Sequence, residues 1–506
     1  KKDLKSAFPP PATVSNEEVI MSEKTLKGNA LIGNKRWTII LPAVFIMYTI
    51  SFFDRVNIGM ALPHITAEMG LSPVEAGWLG GAFAWGYVAT QFTAGWLALR
   101  FGSRKIPGIS LFLFGACAML TGLTRNFGEL VAIRFLLGIA EGPIQAATAM
   151  FLAQWFMKPE RERAFGIWNL SLGAGAFLAG PISGWILAHH NWRMMMVIEG
   201  APAWLFCIIW FYLVPKSIQA AGWLSAEDRD YIQKDLAAEQ SNYRNEKSDP
   251  WWTILKIPAL WLMLIGYSLH SMLAYGFTLW LPTALKGYGT LSEFMVGLIS
   301  GMPFLMTMLG IWYITRRSDK YNQERRLHAA IPTVLCGVAL LAAAFVPLSY
   351  YWAQIGLFMF VGLTMKMLVP LVYVRLTEIL PTKKAVPAVA FVGACSNFIG
   401  QCGGPLVAGY LKHLGGGTDM TLAWGVLGLF SIVGGVLFAL AVGREERIRD
   451  FSKAFSVSFT QSSINTSIIK RNLHTGIGRP IRQDARISIK YSCAPVESPA
   501  CISLNI

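Results

Sequence analysis

The chain has 506 residues, of which 54% are hydrophobic and only 14% charged, against about 25% charged in a typical soluble domain. With a mean hydropathy of +0.45, this excludes a disordered chain, a coiled coil, a disulfide-built secreted scaffold and an ordinary cytosolic enzyme. The net charge of +15 cannot be a nucleic-acid footprint on so apolar a chain, so it must be explained by where the cations sit.

Read in order, residues 1–36 form a polar arm. Residues 1–20 are unlike the start of a membrane protein, whereas MSEKTLKGNALIGNKRW from Met21 reads as a natural beginning, so residues 1–20 are expected to be non-native. A membrane-crossing helix needs about 20 mostly apolar residues, because nothing in the bilayer core can satisfy an open backbone. Twelve such stretches follow: 38–62, 74–98, 106–124, 128–153, 164–188, 192–214, 257–283, 293–315, 329–347, 353–377, 386–411 and 421–443. The expected fold is therefore all-α and integral to the membrane, with six helices in 37–214 and six in 257–443. Between them, 215–256 carries the polar, helix-like AGWLSAEDRDYIQKDLAAEQ. From 444 to 506 a Ser-rich, patternless tail is expected to be disordered or non-native.

Charge sorts the loops into two sides. Loops after even-numbered stretches hold 19 Lys and Arg, and those after odd-numbered ones hold four: Arg125, Arg193, Lys286 and Lys412. Cytoplasmic loops are enriched in these residues, so both termini are expected in the cytoplasm and the basicity records topology. Trp37, Trp192, Trp251, Trp252 and Trp352 near stretch ends read as interface anchors. Five of the seven cysteines lie in apolar stretches and no CxxC occurs, which supports neither a disulfide framework nor a metal site. His189-His190 alone is no metal site either.

The two groups of six repeat. GWLALRFGSRK (Gly95–Lys105, with Gly102 and Arg104) follows the second stretch, and GIWYITRRSDK (Gly310–Lys320, with Asp319) follows the eighth. Gly180-Pro181 in the fifth stretch is matched by Gly404-Pro405 in the eleventh. Parallel repeats of this kind mark transporters that rock about a midplane site. Ala176, Gly180 and Gly184, and likewise Gly400, Gly404 and Ala408, lie four apart and form small-residue stripes for close helix packing. No phosphate-cradling loop is present, since no GxxxxGK[ST] occurs.

GWLALRFGSRK, RFLLGIAEGP in the fourth stretch and the Gly-Pro pairs resemble the motifs of the major facilitator superfamily over about residues 35–445. Within it, FFDRVNIGMALPHI resembles the anion:cation symporters, which include bacterial sugar-acid and aromatic-acid permeases. The resemblance implies a two-half fold working by alternating access, proton coupling through Asp54 and Glu141, and anion recognition by Arg55 and Arg134. Tyr87 also matches a substrate-contacting position of the sugar-acid permeases. Leu99 departs from the pattern, where an Asp usually helps hold the halves together on the cytoplasmic side.

Charges inside a bilayer persist only when paired or facing a wet cavity. Asp54, Arg55, Arg134, Glu141 and Lys366 are such charges, whereas Arg375 and Glu378 lie close enough to the end of the tenth stretch to snorkel. Arg134 and Glu141, seven apart, share a helix face about 10 Å apart along the axis. An arginine can grip a carboxylate bidentately, and a low dielectric favours the neutral form of a carboxyl, as a proton carrier requires. A static ion-pair network, Asp54 with Arg134 and Glu141 with Arg55 or Lys366, is the competing account. Tyr87, Gln91 and Asn397 are candidates for substrate hydroxyls, and His270 reads as a satisfied interhelical histidine. No nucleophile, base and orienter recur at catalytic spacing, so no enzyme is expected. The expected function is import of a small organic carboxylate, a sugar acid first, with the proton as coupling ion and no cofactor. The protein is expected as a monomer in the bacterial inner membrane, without a nucleic-acid partner. A uniporter or exporter on the same fold, or a non-transporting sensor, stays open from sequence.

Overall fold

In the computed structural model, residues 35–442 are described, apart from 92, 245–250, 322, 323, 381 and 418. The expectations for residues 1–20 and for the tail from 444 lie outside the described residues. Every described element is helical, with no strand among the described residues. One π-turn, Arg36–Ile40, runs directly into α1 (Leu41–Met69), which ends where Gly70 adopts a φ of 67°. Then come α2 (Pro73–Gln91), α3 (Ala94–Phe101), α4 (Lys105–Thr121), α5 (Phe127–Glu141), α6 (Ile144–Trp155), α7 (Lys158–His189) and α8 (Trp192–Leu213). The polar α9 (Ala226–Arg244) lies in the central loop. The second group comprises α10 (Pro258–Lys286), α11 (Glu293–Lys320), α12 (Arg326–Phe345), α13 (Tyr351–Thr364), α14 (Leu368–Ile379), α15 (Thr382–Leu414) and α16 (Thr421–Val442).

Among the described residues nine spans are long and apolar enough to cross a membrane, with α5–α6 and α13–α14 each counted as one. The bent pair α3–α4 would make ten. Its 118° bend comes at Gly102, whose φ of 101° suits glycine alone, so the pair is a turn between helices. Over the second and eleventh stretches, α2 and α15 put Gly, Tyr, Asn and Gln where the other spans have aliphatic residues. Side-chain caps fix several helix starts: Asn126, Asn191 and Ser292 accept the backbone N–H of Glu129, Met194 and Met295.

Two spans are broken midway, and both breaks are patched from a neighbouring helix. Pro143 has no N–H to offer the carbonyl of Ile139, and the Thr90 hydroxyl of α2 donates to that carbonyl at 3.0 Å. Between α13 and α14 the helix lapses at Met365-Lys366-Met367. One turn earlier the Thr307 hydroxyl of α11 donates to the Gly362 carbonyl at 2.6 Å, and His270 of α10 bonds the Met365 carbonyl through Nε2 at 2.7 Å. The second and fourth spans thus mirror the eighth and tenth, the same correspondence that the repeated motifs predict. A charge sits at each break, Glu141 at one and Lys366 at the other. Backbone irregularity inside a membrane protein is tolerated where it is buried in protein or lines a cavity.

The Gly-Pro pairs lie in seams between the two groups. A Cβ on Gly180 of α7 would lie 2.2 Å from the Gly297 carbonyl of α11, and one on Gly184 would lie 2.6 Å from that of Glu293. Opposite, a Cβ on Gly77 of α2 would lie 2.7 Å from the Pro405 carbonyl of α15, and one on Gly409 2.3 Å from that of Pro73. Gly404 instead packs within the second group, where a Cβ on it would lie 2.3 Å from the Met272 carbonyl of α10. These contacts lie towards the end that carries few Lys and Arg, here called the lean end. There Lys286 of α10 donates to Glu293 of α11 at 2.6 Å and lies 2.9 Å from Nε2 of His64 on α1.

Candidate functional site

The site is assembled on one face of α1. Ser51, Asp54 and Asn57 are spaced by three and line up along the helix, with Arg55 beside them. Glu141 closes α5 immediately before the Gly142-Pro143 break and is fully buried. The Ser51 hydroxyl donates to its Oε1 at 2.5 Å and Arg55 Nε donates to the same oxygen at 2.6 Å. Above its backbone the Arg55 guanidinium is caged by aromatic rings, 4.5 Å from the Tyr87 centroid, 5.2 Å from Phe52 and 5.7 Å from Phe83. Such faces attract a cation without neutralising it.

Arg134, two turns earlier on α5, is in a different position. It is 2% exposed, with its guanidinium 5.3 Å from the Phe83 centroid, yet its Nε has no hydrogen-bond partner and it pairs with no carboxylate among the described residues. Across the cavity Lys366 occupies the α13–α14 break, its Nζ 4.7 Å above the Tyr275 ring, also without a carboxylate partner among the described residues. Tyr275 in turn donates to Asn397 Oδ1 at 3.0 Å and accepts from Gln401 Nε2 at 3.2 Å. Arg55, Arg134, Lys366, Tyr275 and Gln401 all line one cavity of about 90 Å³, with Phe52 and Phe83 among its apolar walls. The arrangement presents cations from both groups of helices to a shared space, with an aromatic floor and two hydrogen-bonding side chains.

Of the residues expected here, Arg55, Arg134 and Lys366 come together at the cavity. Asp54 is buried behind it, and Glu141 is held under Arg55. Tyr87 supports rather than lines it, stacking on Arg55 and donating to Gln145 at 3.3 Å. Asn397 acts through Tyr275, and Gln91, half-buried one turn beyond Tyr87, lies off the cavity wall. Of the static network, the Glu141–Arg55 pair forms and the Asp54–Arg134 pair does not. His270 is buried with both ring nitrogens occupied, by Ser431 Oγ at 2.8 Å and by the Met365 carbonyl.

Several groups escape the reading of charges above. Glu199 of α8 is 7% exposed and is bonded by Asn57 Nδ2 at 2.9 Å and Ser183 Oγ at 2.7 Å. Its signal is plain in retrospect: a lone carboxylate in an apolar run, seven residues from the predicted edge of the sixth stretch. Tyr275 and Gln401 carry no such signal, since uncharged polar residues are common in helix contacts. Arg375 does not snorkel. It is 4% exposed and pairs with Glu378 at 3.3 Å, which also holds Arg325 at 3.1 Å. Trp192 is no surface anchor, being 2% exposed with its indole N–H on Glu68 at 2.6 Å. Arg36, assigned above to the polar arm, is fully buried and bonded to both oxygens of Glu160, each at 2.9 Å.

In the loop motif, Arg104 caps the far end of α8 by donating to the Phe211 and Val214 carbonyls, both at 2.6 Å, which satisfies orphan acceptors at a helix C-terminus. Gly102 makes the turn, and Gly95 faces open space. Leu99, where the resemblance expects an Asp, is 76% exposed. The side chain of Asp319 lies outside the described residues.

Residues 44–401 match the family model of the Major Facilitator Superfamily. The chain belongs to the Major Facilitator Superfamily. It is 28% identical over 291 residues to a quinolone resistance transporter of Acinetobacter baumannii, covering 56% of this chain and 67% of that one. It is 24% identical over 439 residues to a D-galactonate transporter of Escherichia coli O6:H1, covering 83% and 99%. Among solved structures a D-xylose-proton symporter superposes with a TM-score of 0.63 at 16% identity, over 79% of this chain and 96% of that one; at that identity the likeness speaks for the fold. This superfamily member is a membrane transporter rather than an enzyme. Its organic-acid relatives agree with the branch expected from Asp54-Arg55-Val56-Asn57.

Proposed function

We propose that the protein imports a small organic carboxylate, a sugar acid first, together with protons by alternating access between residues 37–214 and 257–443. One observation carries this reading. Arg134 and Lys366, on opposite halves, face one cavity and neither has a carboxylate within ion-pair distance among the described residues. An anion with hydrogen-bonding groups complements both, with Tyr275 and Gln401 available to hydroxyls. The D-galactonate relative supports a sugar acid, and the quinolone resistance relative makes a bulkier aromatic acid the second class to test.

Coupling rests on Glu141 and Asp54. When Glu141 is ionised it holds Arg55 through a charge-assisted bond. When it is protonated that bond weakens, and Arg55 turns its charge to the cavity beside Arg134. Protonation therefore prepares the site for the anion, and proton loss lets the carboxylate reclaim Arg55 and expel it. The present state is closed at the lean end, which the distribution of Lys and Arg assigns to the outside. On this reading twelve spans place both termini in the cytoplasm of a bacterial inner-membrane protein, which acts as a monomer with no cofactor beyond the proton.

The test is transport in proteoliposomes with D-galactonate, tartrate and an aromatic acid as probes. Glu141→Gln is expected to keep exchange of external for internal substrate while losing accumulation driven by a proton gradient. Arg134→Ala is expected to lose binding, roughly 10- to 100-fold, as for a charged hydrogen bond. Gradient-driven accumulation in Glu141→Gln, or unchanged affinity in Arg134→Ala, would overturn the proposal.

A further inference from the structure

The first half of the molecule holds a buried carboxyl, Glu199, that the transport cycle above does not use and that stands beside one it does, Asp54. Glu199 of α8 and Asp54 of α1 share the amide of Asn57, whose Nδ2 donates to Glu199 Oε2 at 2.9 Å and to Asp54 Oδ1 at 3.2 Å. The remaining Glu199 oxygen takes the Ser183 hydroxyl of α7 at 2.7 Å. All four side chains are buried: Asn57 and Ser183 completely, Asp54 to 4% and Glu199 to 7% exposure. Yet Asp54 Oδ2 and Asn57 Oδ1, both enclosed, have no donor. One amide and one hydroxyl supply three hydrogens to a centre of two carboxyls.

The charged and titratable surroundings are lopsided. On the Asp54 side stand Arg134 and, one step further, Glu141 of α5 and Arg55 of α1, with the Cys117 thiol of α4 also near Asp54. Glu199 itself is reached by Ser183, Asn57 and Asp54, and no cation is within ion-pair distance of it among the described residues. Two neighbouring carboxylates in such a place cannot both stay ionised, because burying an unpaired charge is prohibitive and like charges repel.

We infer that Glu199 is a proton-binding site: Glu199 and Asp54 retain a proton between them across Asn57, and the pair feeds the ladder that descends α1 from Asn57 through Asp54 to Ser51 and Glu141. By the helix rise, Glu199 lies about 10 Å from the lean end of α8, nearer to that end than Glu141. It is therefore the outermost of the three carboxyls and the first that a proton entering from the lean side meets. The step is a plain proton exchange, in which a carboxylate gains H⁺ and its partner loses it. This inference rests on the proton coupling proposed above.

The test is the ligand-free full chain in detergent, with Glu199→Gln against the parent. Gln keeps the size and hydrogen-bonding capacity of Glu but cannot ionise. Infrared difference spectra between acidic and alkaline buffer should show the carbonyl-stretch band of a buried protonated carboxyl, sensitive to H/D exchange, and Glu199→Gln should lose it. A pH-jump with a reporter dye should count one fewer proton taken up per molecule. Ser183→Ala, which keeps the carboxyl, should shift the band without removing it. An unchanged spectrum and an unchanged proton count in folded Glu199→Gln would overturn the inference. Failure of the parent to couple substrate to protons would overturn the coupling reading instead, which separates the two.

Discussion

The buried arginines Arg36 and Arg134 show how the same residue type serves two ends. Arg36 is bonded to both oxygens of Glu160 and to the Trp155 carbonyl at 2.8 Å, so it anchors the start of α1 to the α6–α7 junction. Arg134 has an aromatic face and no carboxylate partner among the described residues. Breaking a buried pair strands its partner and typically costs about 3–5 kcal/mol, whereas removing a buried cation that has no ion-pair partner relieves a desolvation penalty that offsets its weaker attraction to Asp54 and Glu141. Arg36→Ala should therefore lower the unfolding temperature in detergent clearly. Arg134→Met should melt no lower than the parent while failing to bind substrate, a separation of stability from function familiar at binding sites. A marked loss of stability in Arg134→Met would contradict this. The sequence displays these charges because a bilayer makes any charge conspicuous, and Asp54, Arg55, Arg134, Glu141 and Lys366 stand out for that reason. It does not display pairing. That Glu141 takes Arg55 while Asp54 faces Glu199 depends on the rotation of α1 against α5 and α8, which no spacing within one helix encodes.

At the scale of helices, glycine has two different uses. Within the first half, a Cβ on Gly86 of α2 would lie 2.0 Å from the Phe135 carbonyl of α5, and one on Gly138 would lie 2.2 Å from that of Phe83. Both helices belong to one half and stay together, so Gly86→Leu should impair folding and reduce the yield of monodisperse protein. Gly180 and Gly297 make an equally close contact, but across the seam between halves. Gly180→Leu should leave the protein folded and deplete the lean-closed state, detectable as a longer distance between spin labels placed at the lean ends of α7 and α11. An unaltered distance distribution would refute the assignment of that seam as a moving one. The four-residue spacing of Gly180 and Gly184 makes the stripe readable in sequence. Its partner is not readable, because Gly297 and Gly301 form an equally ordinary small pair and pairing them needs the tertiary arrangement. Both helix breaks are announced in the sequence, one by Gly142-Pro143 and the other by Pro370, which has no N–H for the Lys366 carbonyl; which neighbouring helix patches each shows only in the structure.

For the molecule as a whole, the lean end is fastened by His64, Lys286 and Glu293, with His64 also 3.4 Å from a Glu293 oxygen. The trio ties α1 of one half to α10 and α11 of the other. Partly exposed ion pairs are worth little individually, about 0–1 kcal/mol, which suits a fastening that opens in the proposed alternating-access cycle. Glu293→Gln should shift the balance away from the lean-closed state by a few-fold, and cysteines placed in the cavity should label faster with a reagent added from the lean side. Unchanged labelling would assign the trio a purely local role. The all-helical superfamily fold was legible because apolar length and the sequence motifs point to it. Which surfaces meet across the seams was not, since they use generic glycine contacts that both halves carry.

On the proposed alternating-access reading, Arg134 and Lys366 sit on surfaces that approach and separate during transport, and both are positive. Bringing like charges together in a poorly screened interior is unfavourable, so the halves resist engaging around the cavity unless an anion lies between them. In the proposed cycle the cargo is that countercharge once Glu141 and Asp54 are protonated. In the proposed symport the empty carrier returns with Glu141 and Asp54 ionised, and both act on Arg134 as internal countercharges. What the like charges bar is passage of the protonated, cargo-free carrier, a proton leak that would grow in any variant in which Lys366 is made neutral.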